Sequence, residues 1–465
     1  MDTIWASPAL TIAMQATGRA KYAGLAQFIR AAIGTGFQTG DRLPAVRDLA
    51  YQIGVTPGTV ARAYGVLTRE GLLEAGVGRG TFVAMPARAI VMRSLIPEVP
   101  GMLDLLSPKL PEHGQAELLR LALAASARAV PDGDMLRYPS RATDLAARIA
   151  FSQAMVDAPV GPFTPEDVVL SHGGQAAIML ILQTILRGDG PVVLVDELCY
   201  GGFRRACELL RAKVIGVPWD GDGPDPAALE RLAQAQGAQI YLTSAEVSNP
   251  MGRGATVERR HQIATVAQRL GLHVVDDDCY RNGPYGGPSY RQLLPDLGWY
   301  VTSPSKSLTA ALRIGFVIPP PRHSAELARN AVSASFGVSR FLTDAYVHLV
   351  RHPTCADVSL QIRAGVNARV QLMRDHLGGF ALTTRTDLPF GWLDLPPGWR
   401  AGAFCQAAEA AGVLIRSADD FALRDGRAVQ AVRIAVNGQV PEAQFGAGLA
   451  VLAQLLRQPP GDISV

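Results

Sequence analysis

The sequence predicts an α/β protein in two parts. The first is an N-terminal winged helix-turn-helix module. The second is a larger domain with a mainly parallel central sheet and a small C-terminal α+β lobe. Three observations point there. The first eighty-odd residues carry three helical stretches and a glycine-tipped pair of extended segments. Further on, short apolar runs alternate with helical stretches, the rhythm of parallel strands joined by crossovers. Finally, Lys306 stands in Ser303-Pro304-Ser305-Lys306-Ser307 with Arg313 seven positions on, a grouping suited to a pyridoxal phosphate site.

Apolar residues at helical spacing from Lys21 to Ile33 give a first helix, ended by Gly34 and Gly36. Gly40-Asp41-Arg42-Leu43-Pro44 reads as a turn, with Pro44 in the first turn of a second helix running to about Ile53. Gly54-Val55-Thr56 breaks it. Thr56 caps a third helix that starts at Pro57 and sets Val60, Tyr64 and Leu67 on one face. Extended segments at Leu72–Ala75 and Thr81–Ala84 complete a module over residues 1–85. Residues 86–112 hold five prolines and read as a linker, leaving residues 113–465 for the large domain. Its strands are expected at Val168–Leu170, Val192–Val195, Val214–Val217, Ile240–Thr243, His273–Asp276 and Tyr300–Thr302, with the small lobe from about residue 355.

At 465 residues with a hydrophobic fraction of 48% and a charged fraction of 18%, the composition is that of a soluble globular protein. No apolar run reaches the roughly 18 residues a membrane helix needs. The N-terminus lacks the basic start and apolar core of a signal peptide. The five cysteines are scattered, without metal-like spacing, so no metal is expected and a reduced cytoplasmic setting is. The net charge of +3 is unevenly placed. Residues 1–85 hold eight Lys/Arg against five acids, while the remainder balances at 36 against 36. A polyanion partner would want that excess at the N-terminal end.

In such a module the third helix enters the major groove while turn and wing grip phosphates. Arg47, Thr56, Thr59, Arg62 and Arg79 are the candidate contacts, and Gly80 lets the wing backbone approach the duplex. A helical cap using its charges only as a solvated face is the alternative. Leu43-Pro44, Arg47, Leu49-Ala50, Gly54-Val55-Thr56, Thr59-Val60, Ala63-Tyr64, Leu67, Glu70-Gly71 and Gly78-x-Gly80-Thr81-Phe82-Val83 together resemble the GntR family over about sixty residues. That resemblance implies double-stranded operator DNA as a partner. Pro57 departs from it, standing where many relatives carry a base-reading arginine, and Ala45 stands where serine is frequent.

Several residues suit a site around Lys306. His172-Gly173-Gly174-Gln175 joins a strand to a helix, either as a phosphate-binding helix start or as a plain turn. Asp277, among Asp276-Asp277-Asp278 at a strand end, suits a pyridine nitrogen, a metal or a helix cap. Asn249 before Pro250, and Tyr280, offer hydrogen bonds to a ring hydroxyl, although Asn-Pro also makes turns. Tyr200 suits stacking on a ring or a place in the core. Arg433, inside an apolar strand, needs a carboxylate partner, from a ligand or from an internal ion pair.

In order and spacing these residues resemble the fold type I aminotransferases, from about residue 115 to 455. The nearest group is the one whose Asp-x-x-Tyr motif follows an acidic residue, here Asp276. The resemblance implies that Lys306 forms the internal aldimine, Asp277 meets the pyridine nitrogen, and Asn249 and Tyr280 meet the ring hydroxyl. Gly174, Gln175, Ser303 and Arg313 would then hold the phosphate, Tyr200 would stack on the ring, and Arg433 would take an α-carboxylate. Tyr138 would reach a neighbouring subunit's phosphate, but the glycine usual after it is missing. A GntR-type module ahead of such a domain resembles the MocR-type regulators. It implies a homodimeric, pyridoxal phosphate-dependent transcription factor that senses an amino compound, or the cofactor itself, by aldimine exchange at Lys306. A working aminotransferase with a vestigial DNA module stays open as the alternative.

Overall fold

The computed structural model describes residues 5, 7–16, 21–33, 36–37, 40–69, 72–76, 80–83, 101–423, 426 and 429–458. The chain divides into two units, Met1–Val99 and Pro100–Val465.

In the first unit, helices α1 (Pro8–Ala16) and α2 (Lys21–Ala32) precede strand β1 (Arg42–Leu43). Then come α3 (Val46–Gln52), α4 (Pro57–Arg69), β2 (Leu73–Gly76) and β3 (Gly80–Val83). Leu25 and Ile29 of α2 and Val60, Ala63, Tyr64 and Leu67 of α4 recur at helical spacing and are buried in one core with Leu49. The Tyr64 hydroxyl donates to Pro44 O at 3.0 Å, tying α4 to the approach of α3. Pro44 therefore lies before the helix and not in its first turn, because Ala45 is extended at ψ 148° and the helix starts at Val46. β1 was not expected. It pairs with β3 and makes the wing a three-stranded antiparallel sheet, β1-β3-β2.

The second unit starts with β4 (Leu103–Asp104). Its central sheet comprises β5 (Val169–Ser171), β6 (Val192–Asp196), β7 (Lys213–Val217), β8 (Ile240–Thr243), β9 (His273–Asp277), β10 (Gly298–Thr302) and β11 (Gly315–Ile318), in the order β5-β11-β10-β9-β8-β6-β7. β11 alone runs antiparallel to its neighbours. Strands β6, β8 and β11 are buried along their whole length, as expected where both faces of a sheet are covered. Helix α5 (Gly174–Ile185) comes directly after β5, and α6 (Gly201–Leu209) comes after β6.

The C-terminal lobe begins with α7 (Cys355–Leu377) and ends with α8 (Glu442–Arg457). Between them lie β12 (Ala381–Thr383), β13 (Phe390–Asp394), β14 (Val413–Leu414), β15 (Arg416–Ser417) and β16 (Ala431–Ala435). Strands β12-β13-β16-β15 form an antiparallel sheet. Val432 and Ile434 pack on Val370 and Met373 of α7 and on Phe445 and Leu449 of α8, which turns Arg433 to the other face.

The stretch read as a linker is shorter at its C-terminal side. β4 pairs with β14, Leu105 N donates to Leu414 O and Lys109 N donates to Val436 O, so these residues belong to the lobe. Its prolines hide this, since an irregular segment held by backbone hydrogen bonds has no periodicity to read. Residues 86–100 lie outside the described residues.

Candidate functional site

Strands β9 and β10 are parallel neighbours, with Asp277 in register with Val301, so the residues just beyond their carboxyl ends share one edge of the sheet. β10 passes into a short 3-10 turn, Pro304–Lys306. Ser303 caps that turn: its Oγ accepts from Ser305 N at 3.3 Å, donates to Ile314 O at 2.7 Å and lies 2.7 Å from Ser305 Oγ. Its proton is thus engaged within the chain, where the resemblance assigns it to phosphate. Lys306 Nζ stands 5.5 Å from the centroid of the Tyr280 ring, which meets Phe390 edge-on at 5.2 Å.

The three consecutive aspartates diverge. Asp276 accepts from Ala245 N and Tyr290 N, and burial raises it to about 6. Asp278 accepts from Arg281 Nε at 2.8 Å and from the Tyr300 hydroxyl, and burial pushes it up to about 7. Asp277 accepts from Cys279 N at 3.2 Å, and burial raises its carboxyl. No cation pairs with it among the described residues. Nor, among these, do three or more His, Cys, Asp or Glu side chains gather as for a metal ion.

At the amino end of α5, Gly173 has φ +86°, a conformation that favours glycine. A Cβ there would stand 2.7 Å from Arg313 Nη2, and one on Gly174 would stand 2.8 Å from Cys279 Sγ. Arg313, itself at φ +46°, donates to His172 O at 3.3 Å. A guanidinium thus lies beside the unpaired first N–H groups of a twelve-residue helix. Gln175 Nε2 donates to Gly202 O at 3.0 Å, while its buried Oε1 has no partner. Tyr200 precedes α6. Its hydroxyl is pushed up to about 12, first by loss of water and then by Tyr280 and Asp277 nearby.

Arg433 is 3% exposed. Its Nη1 donates to Asn249 Oδ1 at 2.7 Å and its Nη2 to Leu106 O at 2.6 Å, while Nε has no partner. The guanidinium lies 4.8 Å from the Phe421 centroid and 5.4 Å from that of Phe390. Burial holds it down to about 10, so it keeps its charge near neutral pH.

Sequence reasoning missed four contributors. Asn282 Nδ2 donates to Lys306 O at 2.9 Å and fixes the lysine's backbone. The others are the Leu106 carbonyl, Arg416 and Asp420, whose ion pair spans 3.4 Å. Only Asn282 had a local signal, two residues past Tyr280. Tyr138 is exposed and stacks on Phe336 of its own chain at 4.5 Å.

In the first unit, Arg47 projects from α3 and is exposed. Thr56 and Thr59 bond each other through their hydroxyls at 3.0 Å. Arg62 is exposed, with its guanidinium 4.2 Å from the Tyr22 ring centroid. Gly80 has φ +103°, and Arg42 Nε lies 2.9 Å from where its Cβ would be. Arg79 lies outside the described residues.

The large-unit set fits pyridoxal phosphate on three observations. The α5 start and Arg313 form an anion cradle, Asp277 is a half-buried carboxylate suited to a ring N–H, and Arg433 keeps an unsatisfied buried donor. Residues 102–450 match the aminotransferase class I and II family, and residues 21–83 match bacterial regulatory proteins of the gntR family. The chain is 24% identical over 433 residues to the uncharacterized HTH-type transcriptional regulator YdeF of Bacillus subtilis, covering 90% of each. It is 27% identical over 314 residues to the HTH-type pyridoxine biosynthesis transcriptional regulator PdxR of Corynebacterium glutamicum, covering 65% of this chain and 67% of that one. A multiple substrate aminotransferase from Thermococcus profundus superposes with TM-score 0.70 at 20% identity, over 81% of this chain and 96% of the other.

Proposed function

The chain belongs to the aminotransferase class I and II family and carries a GntR helix-turn-helix domain ahead of it, the arrangement of MocR-type regulators; from that premise we propose that it is a pyridoxal phosphate-dependent transcription regulator whose large domain senses an amino compound. One observation carries the sensing part. Lys306 Nζ and the buried guanidinium of Arg433, whose Nε is unsatisfied, both stand near Tyr280, while Asp277, a half-buried carboxylate without a cation among the described residues, and Tyr280 both stand near Tyr200.

When bound, the cofactor supplies an aldehyde that condenses with amines and a ring that withdraws electrons. Lys306 Nζ is the group placed to hold it covalently, and Asn282 fixes the backbone from which that amine reaches. The backbone N–H groups at the Gly174–Gln175 helix start and the Arg313 guanidinium would hold the phosphate, with Ser303 shaping the turn beside it. Asp277 would accept a ring N–H, and a proton kept on that nitrogen would offset the loss of water that raises this carboxyl. Asn249 spends its Oδ1 on Arg433, which leaves its amide to donate to the ring hydroxyl together with Tyr280. Tyr200 covers the ring. Arg433 would take the carboxylate of an amino compound, whose amine would compete with Lys306 for the cofactor's aldehyde.

Release of Lys306 alters charge in the cleft and biases two arrangements of a homodimer on paired operator half-sites. The effector acts only if it binds one arrangement more tightly. Arg47, Thr56, Thr59, Arg62, Arg79 and Gly80 form the DNA-facing set. None of the described helices is long and apolar enough to cross a membrane, and a transcription regulator of this kind works in the cytoplasm.

The test runs a visible-absorption titration with candidate amines beside a DNA-binding assay on one preparation of cofactor-loaded protein. Amines that change the spectrum should shift DNA affinity over the same concentration range. A spectral change with no effect on DNA at any concentration would contradict the regulator.

One observation favours a working aminotransferase instead. The lysine, aspartate and arginine that turnover needs are all present, while the outer start of α4 is Pro57 and Gly58, without a base-reading side chain. Multiple turnovers with 2-oxoglutarate, in protein that binds no duplex, would decide for it.

A further inference from the structure

β15 and β16 place Arg416 directly opposite Arg433 in an antiparallel pair, where side chains share a face and like charges repel. Both guanidinia donate to one oxygen, Leu106 O, Arg416 Nε at 2.8 Å and Arg433 Nη2 at 2.6 Å. Arg433 has no carboxylate within ion-pair distance among the described residues, and its Nε is buried and unsatisfied. Arg416 does have one, Asp420 Oδ2, 3.4 Å from its Nη1. Both members of that pair are largely shielded from water, with side chains 14% and 22% exposed. Among the groups shielded from water here, two cations and one carboxylate leave a single positive charge, with Asp419 of the same turn exposed to solvent. That surplus matches one ligand carboxylate and would be exceeded by two.

We propose that Asp420 and Arg416 form a charge lock that sets the anion capacity of the site at one, so that the protein selects an amino monocarboxylate over an amino dicarboxylate. The inference rests on the reading of Arg433 as the carboxylate anchor. Asp420 acts in two ways. It occupies the guanidinium that a second carboxylate would need, and its own charge repels that carboxylate. The fold holds it in place. Asp420 ends the short 3-10 turn Ala418–Asp420, and its carbonyl oxygen lies 3.5 Å from where a Cβ on Gly201 would stand. Cys199 N donates to Phe421 O at 3.0 Å, and Arg204 Nη1 donates to Ala422 O at 2.5 Å. The backbone that carries and follows the acid is thus fastened to the segment that carries Tyr200.

L-Glutamine and L-glutamate have nearly the same shape and differ by one charge. Full-length, cofactor-loaded protein is titrated with each and followed by visible absorption. The native protein should favour glutamine by on the order of tenfold or more. Asp420→Asn removes the repelling charge and frees Arg416, so the ratio should fall toward one. Arg416→Gln leaves the acid unneutralised beside Arg433, so the ratio should widen. Opposite movement distinguishes the lock from general loosening, which shifts both variants the same way, and either variant alone reports a sign should the other not fold. Glutamate binding as tightly as glutamine to the native protein, or both variants moving together, would overturn the lock while sensing stands. If neither amino acid perturbs the spectrum of loaded protein while other amines do, the lock fails and sensing stands; if no amine does, the sensing reading fails and takes the lock with it.

Discussion

The two ends of the cleft are assembled in different ways. At the cofactor end the groups come from short stretches next to strand ends. Asp277 closes β9, Gly174 opens α5 three residues after β5, and Lys306 follows β10 within four residues. At the carboxylate end the partners are remote in sequence. Asn249 and Arg433 are 184 residues apart, Arg416 and Leu106 are 310 apart, and Arg433 and Leu106 are 327 apart. The chemistry common to the family is built locally from elements that fold with their own capping and turn signals. On the proposed reading, selection among amino compounds would fall to side chains that meet only when the C-terminal lobe packs against the sheet.

The largest expected effect isolates the cofactor end. Lys306→Ala should abolish covalent capture and the amine response while circular dichroism remains native-like, and a full response in that variant would dissolve the distinction between the ends. Arg433→Leu should do the reverse. It should keep capture of the cofactor yet lose roughly 2–5 kcal/mol of affinity for amino acids, measured by spectral titration. Loss of both would mean the ends act as one.

Gly202→Ala probes how tightly they are joined. Its Cβ would overlap Gln175 Oε1 and the Tyr200 ring, and denaturant unfolding should show about 1–3 kcal/mol of destabilisation. Arg47→Ala lies outside the cleft, and fluorescence anisotropy with duplex should show weaker binding with the salt slope reduced by about one unit.

The smallest effect concerns Asp196, at the end of β6, which accepts from the Tyr241 and Thr243 hydroxyls. Burial raises it from 3.8 to about 7, so between those values the native state holds more protons than the unfolded one. Its contribution to stability therefore falls as pH rises through that window. Asp196→Asn should flatten the decline, seen as a larger gain in thermal midpoint near pH 8 than near pH 5.

The same contrast explains what could be read in the sequence. The strands from β5 to β10 stand within a residue or two of their expected places, because continuous apolar runs between turn residues have few other readings. β11 was missed because Gly315–Ile318 comes directly after the lysine-to-arginine stretch, with no turn residues between them, although Pro319-Pro320-Pro321 marks its end. β1 and β4 have two residues each, too few for any alternation to show. In the site, Lys306, Asp277 and Gly174 announce themselves through their neighbours. Arg433 was visible as a charge inside an apolar strand, but not its bond to Asn249. No spacing rule joins Leu106, Arg416 and Asp420, so the charge balance of the carboxylate end became legible only with the fold.

The most direct measurement is borohydride reduction of full-length protein loaded with pyridoxal phosphate, followed by peptide mass mapping. Coloured protein with one phosphopyridoxyl adduct, on Lys306, is the expected result. Colourless protein with no adduct there, or an adduct confined to another lysine, would contradict it.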